Sequence, residues 1–141
     1  MFSTLSAQIG ALMMAGACLF AVSSGGRPQR SAALTAAAAW LGSAALQNRA
    51  NLFDPQYAIF ALDVVAMVAF AWLAVRWRRG WLIWVAAFQL LTMTTHIAVM
   101  LDQRIDVRGY LTAYLIWSYL LLAALTWGGV EGWRDRRRRR G

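Results

Sequence analysis

The sequence predicts an all-α, polytopic transmembrane helix bundle, and three observations carry that prediction. Long apolar runs fill most of the 141 residues, 60% of which are hydrophobic. Mean hydropathy is positive. Apart from Asp63, the charged residues fall in short intervals between the runs. With the runs set aside only loops and a tail remain, so residues 1–133 read as one transmembrane domain and 134–141 as a basic cytoplasmic tail. The net charge of +8 comes from 14 Arg and no Lys against 6 acidic residues. On the face of a soluble fold such arginines would suggest nucleic acid. Here they flank apolar runs, where they serve as topology and lipid-surface anchors, and no nucleic-acid partner is expected.

A helix needs about 17 to 25 apolar residues to cross roughly 30 Å of hydrocarbon. The first run, Leu5 to Val22, qualifies. Its "LMMAGAC" has the look of a lipoprotein cleavage box, but "MFSTLSAQIG" lacks the Lys or Arg of a signal peptide, so Cys18 reads as a small thiol packed in a helix. "SSGGRPQR" then makes a turn, with Pro28 beside a helix start. The second run, Ser31 to Gln47, is alanine-rich, hence helical but weakly lipid-seeking, and Ala38 with Gly42 forms a small-xxx-small pair suited to close packing. "NLFDPQ" is a second turn, carrying Asp54 and Pro55. Tyr57 to Val75, Trp81 to Leu101 and Tyr110 to Trp127 are the remaining runs.

The arginines set the topology. Net-basic intervals (Arg27 and Arg30; Arg76, Arg78 and Arg79; Arg134 with Arg136, Arg137, Arg138, Arg139 and Arg140) alternate with balanced ones (Arg49 with Asp54; Asp102, Arg104, Asp106 and Arg108). If all five runs cross, every basic interval falls inside and both balanced ones outside, as the positive-inside rule requires. The expectation is five spans, N-terminus out and C-terminus in. A first run lying on the membrane would leave four spans and the same orientation for the rest. Trp72, Trp77, Trp81, Trp84, Trp127 and Trp133 gather near the proposed inner ends, while Tyr57 and Tyr110 open helices at the outer ends.

Polar residues inside spans are costly and mark where function is sought. Asp63 lies about 9 Å into the third run from its outer end, and His96, the chain's single histidine, about 8 Å into the fourth. The two runs are consecutive and antiparallel, so the pair sits at matching depth. Gln89, Thr92 and His96 share one stripe, and Tyr110, Tyr114 and Trp117 another. The candidate polar or proton site is therefore Asp63 and His96 with Gln89, Thr92, Tyr114 and Ser118. An aspartate-to-imidazole bond that only fastens two helices is the alternative; such bonds average about 0.6 kcal/mol in membranes, whereas an unpaired carboxylate in lipid costs several times more.

One histidine excludes a bis-histidine haem within a single chain, and neither a zinc site nor a catalytic motif is visible, so no cofactor, no metal and no enzymatic activity are expected. "GGRPQR" ahead of an alanine helix, "WLIWVAAFQLLTMTTHIAVMLD", Tyr110 and "YLIWSYLLLAALTWG" resemble a group of short, uncharacterised multipass inner-membrane proteins of high-GC bacteria. That resemblance covers Gly25 onward. It implies location and helix number and carries no function across. Three functions are weighed: a non-enzymatic accessory or assembly subunit working with a membrane-protein partner or as a homo-oligomer; a small proton-linked transporter or sensor using Asp63 and His96; and a phage-type holin, suggested by small size and a basic tail.

Overall fold

A computed structural model of the chain describes residues 5–46, 57–102, 104, 106–139 and 141. These are 92% helical, with no strand among them. The helices are α1 (Leu5–Ser24), α2 (Arg27–Leu46), α3 (Tyr57–Trp77), α4 (Gly80–Leu101) and α5 (Val107–Arg138). Gln47, the "NLFDPQ" turn with Arg49, Asp54 and Pro55, and Arg140 of the tail lie outside the described residues. By length and composition three helices can cross a membrane, Tyr57–Trp77, Gly80–Leu101 and Arg108–Arg138; within α1, Gln8–Ser24 is a shorter apolar helix. The outward faces are apolar, with Leu12, Leu19, Val68 and Val75 all exposed, as suits lipid rather than water.

Local chemistry fixes the turns. After α1, the Gly25 amide donates to the Ala21 carbonyl at 3.0 Å, and Pro28 sits in the first turn of α2, where its missing N–H leaves no bond unmade. Between α3 and α4 stand only Arg78 and Arg79. Arg78 takes a left-handed conformation (φ 49°) as its amide closes on Ala74 at 2.9 Å, and Arg79 is extended, so the chain reverses at once. Before α5, Asp102 Oδ1 accepts the Arg104 amide at 2.9 Å.

Each helix packs on its neighbours in sequence, and α1 closes the ring against α5. The apolar core occupies the end of the bundle that holds the α1–α2 and α3–α4 turns: Phe70, Leu73, Trp81, Leu82, Val85 and Leu125 are its large members, filled in by Ala17, Ala32 and Ala36. On α2 the close-packed face is Ala32, Ala33 and Ala36 with Gly42, where an added Cβ would lie 2.7 Å from Leu62; Ala38 is exposed, so the expected Ala38 and Gly42 pair does not form one seam. Trp81 is likewise a core residue, 3% exposed, and not a membrane-interface tryptophan, whereas Trp72, Trp84, Trp127 and Trp133 are exposed.

The helix that holds the fifth apolar run continues past Trp127. α5 reaches Arg138 as one helix of 32 residues, about 48 Å at 1.5 Å per residue, longer than a bilayer core is thick. Most of the expected tail is therefore helical. Along the last turns of α5, Glu131 and Asp135 lie 2.5 Å and 3.4 Å from Arg79 Nη1, and Arg136 donates to the Ser23 carbonyl at 2.5 Å. Arg79 is thus tied to α5 instead of standing as a free lipid anchor. Arg76 and Arg137 lie over the rings of Trp77 and Trp133.

Candidate functional site

The short α3–α4 turn sets the register that brings Asp63 of α3 beside α4. Asp63 is 6% exposed. Its Oδ1 accepts a hydrogen bond from Gln89 Nε2 at 3.1 Å, and the same amide lies 3.4 Å from the Asp63 carbonyl. Its Oδ2 stands 3.0 Å from His96 Nε2, close enough for charge attraction but without hydrogen-bond alignment. The other imidazole nitrogen, Nδ1, is 3.0 Å from the Tyr110 hydroxyl of α5. Tyr114, one turn further along α5, meets the His96 ring edge-on at 5.7 Å between centroids.

This arrangement accommodates both forms of the imidazole. When the ring is neutral, the Tyr110 O–H donates to Nδ1 and the ring proton sits on Nε2, facing the carboxylate. When the ring is protonated, Nδ1–H donates and the Tyr110 oxygen accepts. A hydroxyl rotation is the only rearrangement required. Asp63, His96 and Tyr110 therefore lie in a row from the buried interior to the first turns of α5, with an aligned hydrogen bond between His96 and Tyr110 and a charge contact between His96 and Asp63.

Of the six candidate residues, Asp63, Gln89 and His96 meet directly and Tyr114 packs on His96. Thr92 and Ser118 stay local: Thr92 Oγ1 donates to the Phe88 carbonyl at 3.0 Å, and Ser118 Oγ to the Tyr114 carbonyl at 2.8 Å. Both nevertheless line a cavity of about 60 Å³ that Asp63 and Gln89 also border. Tyr110, which the sequence placed in a stripe and at the outer opening of its helix but not among the site residues, makes the bond to His96. No group of three His, Cys, Asp or Glu side chains suited to a metal occurs among the described residues.

Another buried polar residue, Gln29, had no place in the sequence reading. It is 2% exposed, accepts the Gly26 amide at 2.9 Å and donates to the Gly128 carbonyl at 3.2 Å, linking the α1–α2 turn to α5. The glycines around it leave no room for side chains: a Cβ at Gly132 would lie 2.9 Å from Gln29 Nε2 and from the Gly25 Cα, and one at Gly128 would lie 2.5 Å from the Trp81 ring. The signal for this node was "WGGVEGW", three glycines within a single helix.

No protein-family model matches the chain, and neither curated proteins nor solved structures give a significant match.

Proposed function

We propose that this chain is a non-enzymatic inner-membrane protein that crosses five times, N-terminus out and C-terminus in, and senses protons from the outer side on behalf of a membrane partner. The observation that carries this reading is the position of His96 between buried Asp63 and the half-buried Tyr110. Beyond Asp63, toward the opposite end of the bundle, Phe70, Leu82, Val85 and Leu125 are each 1% exposed or less. A proton has a polar route to Asp63 from one side and a packed apolar plug on the other, which favours a sensor over a transporter. The ring in which α1 packs between α2 and α5 supports five crossings over four. The experiment is a titration of intrinsic Trp fluorescence in detergent from about pH 5 to 9, with Trp40, which borders the cavity beside Asp63, as a reporter. The wild type gives a sigmoidal change that Asp63→Asn and His96→Ala abolish. A flat wild-type curve rejects the sensor.

An accessory subunit whose cluster only orders the bundle is the second reading. It is favoured by one observation: the same side chains bridge α3, α4 and α5. Stability losses in both variants without any titration identify that case.

A further inference from the structure

A groove of about 480 Å³ runs between α4 and α5, away from Asp63 and toward the α3–α4 turn. Trp84 and Phe88 stand on its α4 wall, their rings stacked at 6.0 Å between centroids, and Ala123 and Trp127 stand on its α5 wall. It opens outward, since Trp84 and Trp127 are 62% and 67% exposed. The α4 wall extends eight residues from Gly80 to Phe88 and the α5 wall eleven from Glu131 to Leu120, about 12 to 17 Å at 1.5 Å per residue. Half of a hydrocarbon core roughly 30 Å thick is about 15 Å. With α4 and α5 across a membrane, the groove therefore spans one leaflet, the reach of a single acyl chain.

Charge gives the second, independent argument. On α5 the groove face passes through Leu120, Ala123, Trp127 and Glu131, at i, i+3, i+7 and i+11, and the same helical spacing continues to Arg134 and Arg138, both exposed. Arg78, also exposed, and Arg79 form the turn that leads into Gly80 on the facing wall. Arg79 already holds Glu131 and Asp135. The carboxylates at this end are thus occupied, and the remaining arginines leave it net positive. An apolar slot that ends in free guanidinium groups is complementary to a phospholipid with a negative headgroup, because guanidinium donates paired hydrogen bonds to phosphate oxygens.

We propose that this groove binds one anionic phospholipid, with an acyl chain against Trp84, Phe88 and Ala123 and the phosphate held by Arg78 and Arg134. This differs from the general attraction of a basic tail to a membrane surface: the slot for the chain and the charges for the headgroup lie on one face of one helix. A zwitterionic lipid offers the same chain, but its own cation cancels the charge that the arginines select. The inference needs α4 and α5 to cross a membrane and is independent of proton sensing.

The test reconstitutes the full-length protein in phosphatidylcholine vesicles that carry a small fraction of lipid with brominated acyl chains, either phosphatidylglycerol or phosphatidylcholine. The readout is quenching of Trp fluorescence, to which the exposed Trp84 and Trp127 contribute. Brominated phosphatidylglycerol is expected to reach half-quenching at a mole fraction about tenfold lower than brominated phosphatidylcholine. Arg78→Asn, which suits the left-handed turn, combined with Arg134→Gln removes most of that preference. Ala123→Phe fills the groove, keeps every arginine and also removes it. All three positions are exposed, so the variants keep the wild-type Tm in detergent. Equal quenching by the two lipids overturns the site. A preference that survives the double arginine variant overturns the headgroup assignment, and one that survives Ala123→Phe overturns the groove.

Discussion

Asp63 is tolerated inside the bundle because its two oxygens have different neighbours, Gln89 on one and His96 on the other. Removing either Asp63 or His96 leaves a buried polar group without its partner, which costs about 1 to 3 kcal/mol. Asp63→Asn and His96→Ala are each expected to lower Tm in detergent, and the double variant to lose clearly less than the sum; strict additivity would show that the pair does not interact. Tyr110→Phe deletes the group facing His96 Nδ1 and should cost about 1 kcal/mol in the same assay, while an unchanged Tm would mean that the hydroxyl contributes nothing. The Asp63 and His96 match was legible by counting, since helical rise is constant and the α3–α4 turn is short. Tyr110 was not. Which face α5 turns toward His96 depends on its rotation about its own axis, and that rotation is set by contacts at its far end.

Those contacts are the glycines of α5. Gly128, Gly129 and Gly132 approach Trp81, Phe20 and the Gly25–Gln29 turn so closely that any Cβ collides. Glycine in a helix interior costs about 1 kcal/mol relative to alanine, so local propensity argued for ending the fifth run at Trp127. Tertiary packing overrides it. Gly132→Ala is expected to destabilise by about 1 to 3 kcal/mol through overpacking, whereas Gly109→Ala, with nothing within 4 Å of the new methyl, should stabilise by about 0.5 to 1 kcal/mol. Thermal unfolding of the two variants checks the contrast, and shifts of the same sign would contradict the node. Trp81 was misplaced for the same reason: its position in sequence suits an interface, and only the groove opened by Gly128 draws it into the core.

At the scale of the whole molecule, the proposed orientation of the bundle rests on the arginine pattern. Reporter fusions at Arg79 and Gly141 should read cytoplasmic and a fusion at Arg104 periplasmic; a cytoplasmic reading at Arg104 would reverse the orientation and put the line from Tyr110 to Asp63 on the wrong side for an outer sensor. The helical class and the three helices long and apolar enough to cross could be read from the length of the apolar runs alone, because the bilayer imposes both. The ring closure of α1 on α5 could not, since small-residue contacts have no hydropathy signature. α5 is the element that links the two ends. Tyr110 and Arg138 are separated by 28 positions on one helix, about 42 Å at 1.5 Å per residue. A rigid rod of that length is a lever: a swing of about 5° at the Tyr110 end carries Arg138 through roughly 4 Å, enough to pull Arg136 off Ser23. Under the proposed sensor reading, a small change at the Tyr110 end would be amplified along this rod into a displacement of several ångström at its far end.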